Sequence, residues 1–314
     1  MSSRVGRLAR HLPVLLRGRP LHGADRHRPF FIVGSGRCGS TLLRAMLEAH
    51  PDVHVPPESR LGPVVQEYRR YSRLPWNVLL RILLAPLEYE RAWELWEMAM
   101  GPLFHELEGL APARRNLATV LDTLYRAHAT AHKPTAIRWG DKSPPNTPHL
   151  GALSAVFPDL QVVHVLRDGR DVVRSFMDVS NAGLPYFAHA WLGGVRTAQA
   201  FGARHQAQYL EIRYEDLVRD TDATIQRVTS FLGLTFDDRI LRYYQEDLRL
   251  GDVAGHPRLH GVWQPVYQSS VGRWRTTFDA RELAELDRLL GPTLTALGYG
   301  AEESWANAGG ELSA

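Results

Sequence analysis

The sequence predicts an α/β fold: a central parallel sheet flanked by helices, with a mostly helical insertion. Two observations predict it. Short β-branched or aromatic runs alternate along the chain with amphipathic stretches, as in strand–helix–strand units that close into a sheet covered on both faces. The first run also passes through a glycine-rich turn into a helix, the arrangement that builds an anion site at a strand end. The composition agrees. A chain of 314 residues, 44% hydrophobic and 23% charged, can bury a large core, which excludes disordered, collagenous and coiled-coil classes. Its single cysteine, Cys38, leaves no internal disulfide and no thiolate zinc site.

Residues 1–29 read as a basic arm. Residues 1–30 hold seven Arg against one Asp, a net of +6 where the whole chain carries +3. The rest of the chain is therefore net acidic, and no nucleic-acid interface is expected on it. The longest apolar stretch of the arm, residues 12–16, is broken by Pro13 and is too short for a signal peptide or a membrane span. A flexible or membrane-brushing arm is expected, then one domain over 30–300 and a frayed tail over 301–314. No later segment is long and apolar enough to cross a bilayer, and a cytoplasmic location is expected. Only two of the 37 basic residues are lysines, Lys133 and Lys142.

Strands are expected at residues 30–34 (FFIVG), 136–140 (AIRWG), 161–166 (QVVHVL) and 209–213 (YLEIR), each short and bounded by turn residues. Helices are expected at 41–49, where Leu43, Met46 and Leu47 share a face, and at 116–132, where Leu117, Val120, Leu121 and Leu124 recur. Others follow at 171–177, 187–205, 215–232 and 280–297. The insertion covers 61–133, and its stretch 61–110 is rich in aromatics (Tyr68, Tyr71, Trp76, Trp93, Trp96) whose safest role is core packing. The segment HPDVHVPPE holds three prolines and makes a poor strand. Residues 250–275 mix Gly, Pro and His without a period and read as a functional loop or lid.

The sharpest local feature is FFIVGSGRCGSTLLRAML. A buried-type strand enters Gly34-Ser35-Gly36-Arg37-Cys38-Gly39-Ser40-Thr41 and a helix begins. Free backbone N–H groups there face one point at the positive end of a helix dipole, which suits a phosphate. Three phosphate sites share parts of this spelling. Gly34-x-Gly36-x-x-Gly39 matches a dinucleotide fingerprint, with Asp52 near the ribose-acid position, but the proline-rich segment is a poor second strand. Gly34-x4-Gly39 matches a Walker loop, but Ser40 stands where the lysine belongs and Arg37 sits inside the loop. Cys38-x5-Arg44 matches the cysteine phosphatases, but Leu42 and Leu43 would lie inside the loop, and Cys38 reads as a small backbone donor.

A second anion anchor lies downstream. QVVHVLRDGRDVVRSF puts Arg167 at a strand end and Ser175 eight residues on, a bidentate cation with a hydroxyl donor. The glycine loop followed by this strand–Arg-x7-Ser segment resembles the sulfotransferases that use 3′-phosphoadenosine 5′-phosphosulfate (PAPS). YLEIRYEDLVRD, WGDKSPPN and SSVGRWRTT also resemble segments of that family, so the resemblance runs from about Phe30 to Tyr299. It implies a P-loop-like three-layer fold and sulfuryl transfer from PAPS to a hydroxyl or amine.

The resemblance also implies roles. Gly36, Arg37, Cys38, Gly39, Ser40 and Thr41 would hold the 5′-phosphosulfate, Arg167 and Ser175 the 3′-phosphate, and Tyr214 would contact the adenine. Arg273 and Arg275 would face phosphate from the closing loop. Lys142 would be the catalytic lysine, and Ser269 or, preferably, Ser270 would donate to the sulfuryl group. LRAMLEAHPDVHVPPESR is closer to the tyrosylprotein branch, which puts Glu58 on the catalytic base and Arg60 on a substrate-side arginine. The cytosolic small-molecule branch fits less well: Ser143 and Pro144 follow Lys142 where it has Thr-His, and Tyr267, Gln268 and Ser269 stand where it has Arg-Lys-Gly. A soluble bacterial relative is expected.

Sulfuryl transfer needs an acceptor base and a cation for the leaving oxygen. Glu58 and Lys142 are the candidates, with His256 or His260 as alternative bases. No metal-ligand cluster appears in the sequence, and a metal-independent enzyme is expected. Two other functions stay open: a P-loop nucleotide kinase, and a non-catalytic PAP- or PAPS-binding protein. The acceptor (a small molecule, carbohydrate or peptide) and the oligomeric state are not readable from the residues.

Overall fold

Five strands carry the architecture: β1 (Phe30–Val33), β2 (Val53–His54), β3 (Arg138–Lys142), β4 (Gln161–Leu166) and β5 (Tyr209–Arg213). They form one sheet in the order β2-β3-β1-β4-β5. β2 pairs parallel with β3, Val53 against Arg138 and His54 against Trp139. β4 pairs parallel with β5, from Val162 against Tyr209 to Leu166 against Arg213. Every residue of β1 and β4 is buried, as strands covered on both faces must be. The computed structural model describes residues 14, 17–248, 250, 251, 253 and 261–300. His256, His260 and the tail over 301–314 lie outside the described residues.

Two findings depart from the strand expectations. The proline-rich segment does contribute a strand, β2, and its flanking prolines confine it to two residues at the sheet edge, where a missing N–H is tolerated. β3 starts at Arg138, two residues later than expected, and the Ile137 and Arg138 amides both donate to the Asp52 carbonyl, at 3.0 Å each. The strand consequently ends on Asp141 and Lys142. The order also removes the dinucleotide reading. In a dinucleotide fold the second strand lies beside the first, whereas here β3 separates β2 from β1.

The chain divides into two compact units, with β1 passing from one to the other. The first contains the described residues up to Phe31, those of 47–161, and those near 250. It holds β2, β3 and the insertion helices α2 (Leu61–Tyr71), α3 (Trp76–Glu88) and α4 (Met100–Glu108), then α5 (Leu117–His132) and α6 (Leu150–Val156). The insertion aromatics Tyr68, Trp76, Trp93 and Trp96 are buried, and Trp93 stacks on Trp96 at 5.1 Å, so they build core. α5 begins at Asn116, whose side chain accepts the Thr119 amide at 2.9 Å, an N-cap worth about 1 kcal/mol. Within the span read as an arm, Leu21 accepts the Ala118 amide at 2.8 Å, Pro20 accepts the Tyr68 hydroxyl at 2.9 Å, and Arg26 pairs with Asp159 at 2.7 Å.

The second unit contains residues 32–46, 162–246 and the described residues from 261 on. It holds the glycine loop, β4, β5 and most of α1 (Ser40–Ala49). Its other helices are α7 (Gly169–Met177), α8 (Leu184–Arg204), α9 (Tyr214–Arg219), α10 (Thr221–Leu232) and α11 (Ala280–Ala296). The stretch expected as one helix over 215–232 is two, because Asp220 leaves the helical conformation and caps α10 through the Ala223 amide. Leu166, Val172, Phe187, Trp191, Trp274, Leu286 and Leu290 belong to one buried cluster. Asp279 and Glu282 start α11 with a reciprocal capping box. Of the described helices, none is long and apolar enough to cross a membrane.

One polar cluster supports the outer strand. The Nδ1 atom of buried His164 lies 2.7 Å from the Tyr209 hydroxyl and 3.0 Å from Glu211 Oε2, and Gln199 donates to the same oxygen at 3.1 Å. Burial opposes ionisation of Glu211, but the His164, Tyr209 and Gln199 hydrogen bonds outweigh it and hold its carboxyl down at about 2, against an ordinary 4.5. A carboxyl depressed by folding stabilises the native state above its unfolded value and loses that contribution as the pH falls through the folded one. The urea-unfolding free-energy difference between the wild type and Glu211→Gln should therefore be full at pH 6 and shrink progressively from about pH 4.5 to about pH 2.

Candidate active site

The glycine loop owes its shape to residues in left-handed backbone. Gly36 has φ 79°, Gly39 φ 94°, and Arg37 between them φ 53°, a region that costs a non-glycine residue about 1 kcal/mol or more. Successive residues of this kind curl the backbone so that its amides converge into an anion-binding concavity. The first intrahelical bond of α1 runs from the Leu43 amide to the Gly39 carbonyl at 3.2 Å, which leaves the preceding amides outside the helix ladder. Ser40 is buried at the helix start. Cys38 is fully buried, and that burial pushes its thiol up. A phosphatase nucleophile needs the opposite shift, so Cys38 serves the loop by size and backbone.

Arg167, at the end of β4, is the hub of this unit. Its side chain is 10% exposed. Nη1 donates to the Arg37 carbonyl at 3.1 Å, Nη2 to the Ser270 carbonyl at 2.6 Å, and the guanidinium lies 4.4 Å from the Tyr214 ring centroid. Its Nε is buried with no hydrogen-bond partner, so one donor of a buried cation still calls for an acceptor. Arg37 donates from Nε to the Ser175 hydroxyl at 3.0 Å. The glycine loop, Arg167, Ser175, Tyr214 and Ser270 are thus brought together.

Tyr214 is packed inside this unit. Its ring is buried under Arg167 on one side, and its hydroxyl is hydrogen-bonded to Ser270 Oγ. A Cβ at Gly39 would fall 2.2 Å from its Cδ2, so the ring fills the space that the glycine leaves. Tyr214 fixes Arg167 and Ser270 to the loop.

Asp171, in the first turn of α7, ties in the C-terminal turn. Its two oxygens accept the Gly272 amide at 2.7 Å and the Trp274 amide at 3.0 Å, and Arg167 lies 3.9 Å away. That turn carries Arg273, which is exposed, and Arg275, which lies 4.8 Å from the Trp274 ring centroid. Burial first, and then the neighbouring Arg170, pull the Arg275 guanidinium down. Accumulated positive charge of this kind favours an anion.

The other candidates lie in the first unit. Lys142, 2% exposed at the end of β3, forms an ion pair with Glu58, which is 41% exposed. The Glu58 carbonyl accepts from Trp96 Nε1 at 3.4 Å. Asp141 does not pair with its neighbour's ammonium in the hydrogen-bond pattern; its Oδ2 accepts from Ser59 and Tyr125 at 2.7 Å each and from Ser143 at 3.0 Å, and its Oδ1 from Asn146 at 2.9 Å. Burial pushes the Asp141 carboxyl up, against those hydrogen bonds. Arg60 is 66% exposed and pairs with Glu90 at 3.1 Å. Among the described residues no group of three or more His, Cys, Asp and Glu could hold a metal ion.

Sequence reasoning missed Asp141 and Asp171 as organising carboxylates. Their signal is an acid flanking a candidate cation at a strand end or first helical turn, and it becomes legible only with the distant partners in place. Gly39→Ala should lower stability by about 2–4 kcal/mol, since the new Cβ meets the Tyr214 ring in strained backbone. Gly193→Ala, in α8 with open space around it, should be neutral or stabilise by up to about 1 kcal/mol. Urea denaturation of both variants tests the contrast.

Similarity to known proteins agrees with this geometry. A profile described as the sulfotransferase family matches residues 29–238. Protein-tyrosine sulfotransferase A of Caenorhabditis elegans is 25% identical over 292 residues, 88% of this chain and 69% of its own length. Protein-tyrosine sulfotransferase 1 of Danio rerio is 24% identical over 282 residues, 86% of this chain and 71% of its own. The solved sulfotransferase domain of the Synechococcus PCC 7002 olefin synthase shares the fold, with a TM-score of 0.59 and 24% identity over 85% of this chain and 96% of that one. With the family profile covering most of the chain, the protein belongs to the sulfotransferase family and is a sulfuryl-transferring enzyme.

Proposed function

We propose that the sulfuryl donor is PAPS and that the acceptor is a hydroxyl, first of all a tyrosine hydroxyl in a peptide. The observation that carries the donor reading is the buried Arg167 guanidinium with its unpartnered Nε. A buried cation with an open donor, linked through Arg37 to the Ser175 hydroxyl, suits a phosphate dianion. The glycine loop, curled through left-handed backbone at Gly36, Arg37 and Gly39 just before α1, suits the second anionic group. Arg273 and Arg275 add positive charge from the closing turn. The residues present therefore fit a nucleotide with two separate anionic groups. A kinase would need a cation at the position of Ser40.

When bound, PAPS supplies an SO₃ unit that moves in line from the phosphate oxygen to the acceptor oxygen. Glu58 takes the acceptor's proton as the new oxygen–sulfur bond forms. Lys142, released from its ion pair with Glu58, follows negative charge onto the oxygen whose bond to sulfur breaks. The Ser270 hydroxyl donates to the sulfuryl oxygens. Tyr214 orients Arg167 and Ser270 rather than stacking on the adenine. Arg60, turned to Glu90, reaches the acceptor only by leaving that exposed pair, which costs at most about 1 kcal/mol. The acceptor class rests on the names of the relatives, which are protein-tyrosine sulfotransferases.

Calorimetric titration with 3′-phosphoadenosine 5′-phosphate (PAP) tests the donor reading. The wild type should bind, and Arg167→Ala should bind about 10- to 100-fold more weakly, as expected on losing charge-assisted hydrogen bonds. No binding by the wild type overturns the reading. Radiolabelled sulfate from PAPS should enter tyrosine-containing peptides in preference to oligosaccharides; label confined to the oligosaccharides overturns the acceptor class.

A further inference from the structure

Glu58 and Lys142 come from segments far apart in sequence, and each has a serine as its next residue. Those serines meet beneath the ion pair. Ser59 Oγ and Ser143 Oγ both donate to Asp141 Oδ2, at 2.7 and 3.0 Å, and the Ser59 amide donates to Ser143 Oγ at 2.8 Å. Tyr125 of α5 adds a third hydroxyl to the same oxygen at 2.7 Å. Asn146 closes the arrangement: its Nδ2 donates to Asp141 Oδ1 at 2.9 Å, and its Oδ1 accepts the Leu61 amide at 2.9 Å. All six residues are buried.

Strand geometry explains why this matters for chemistry. Successive side chains of a strand point to opposite faces, so Asp141 and Lys142 of β3 face opposite ways. On the neighbouring segment Glu58 reaches Lys142 while Ser59 reaches Asp141. Two levels result, with the reactive carboxylate and ammonium on one and a hydrogen-bonded carboxylate on the other. A buried carboxylate accepting four donors is rigid, because each lost bond strands a buried polar group.

We infer that Asp141 is a positioning residue for sulfuryl transfer: it staples the Glu58 segment to the Lys142 segment through Ser59, Ser143 and Asn146, and so fixes the separation of base and cation. This rests on the assignment of Glu58 and Lys142 above. Asp141 touches neither reactant. Its effect is on turnover, with PAP affinity unaffected.

The test uses Asp141→Asn and the double exchange Asp141→Asn/Asn146→Asp. An asparagine at 141 offers one acceptor and one NH₂. If the oxygen faces the three hydroxyls, the NH₂ meets that of Asn146 donor to donor; if it is turned, the hydroxyls lose their acceptor. The double exchange restores complementarity, because the aspartate at 146 accepts from the new NH₂ and from the Leu61 amide at once. Two readouts are taken on the full chain: conversion of PAPS to PAP with a tyrosine-containing peptide, and hydrogen exchange of the Ser59 and Leu61 amides. Asp141→Asn should slow turnover by about 10- to 100-fold and speed exchange at 59 and 61 by about tenfold or more, with PAP affinity within about twofold. The double exchange should recover most of both. Wild-type exchange at Ser59 and Leu61 in Asp141→Asn overturns the inference, whatever the turnover. So does a folded double variant that recovers neither readout. If Lys142→Ala is inactive while Asp141→Asn turns over normally, the inference alone fails. If Lys142→Ala turns over normally, the Glu58–Lys142 assignment fails, and the exchange data still decide whether the staple exists.

Discussion

Arg167 sits almost wholly out of water at the end of β4, and much of the second unit is arranged to make that tolerable. A guanidinium placed there must have its donors met or be strongly destabilising. Two are met by carbonyls of Arg37 and Ser270, which draws the glycine loop and the C-terminal turn onto one side chain. Tyr214 supplies a ring face, and Gly39 is a glycine because that ring needs its space. Asp171 approaches the cation while holding the turn by two amides. The Arg167 Nε is buried with no hydrogen-bond partner.

The first unit solves a related problem with a carboxylate. Asp141 is buried and fully hydrogen-bonded, so it neither drifts nor needs the adjacent Lys142 as its partner. The ammonium pairs with Glu58, the more exposed of the two. An ion pair with one member near water is easier to open than a pair buried on both sides. The same ammonium can then serve as a mobile charge when an oxygen nearby becomes negative. Rigidity on one level and looseness on the other are both consequences of which face of β3 each residue occupies.

What could be read from the sequence was what lies close along the chain. The glycine loop and α1 are contiguous, and Arg167 and Ser175 fall within one strand–helix step, so their order alone makes them candidate anion anchors. Leu43, Met46 and Leu47 are buried as their spacing required. What could not be read depends on partners from afar. Ser59 reaches Asp141 from 82 residues away and Tyr125 from 16. Arg60 pairs with Glu90, thirty residues further on in the insertion. The nearness of Gly39 and Arg167 to the Tyr214 ring likewise emerges only in the fold. β2 escaped notice because its prolines argue against a strand, and a two-residue edge strand needs too few amides for that argument to hold.

The central claim is a division of labour: Arg167 and the glycine loop hold the donor, and the Lys142 ammonium carries charge during transfer. Transfer of radiolabelled sulfate from PAPS by Lys142→Ala, with PAP affinity taken on the same preparation, tests it most directly. The account predicts a loss of transfer of about a hundredfold or more with PAP affinity held within about twofold, and no full rescue in Lys142→Arg, whose planar fork cannot follow a point charge. Full transfer by Lys142→Ala would contradict it.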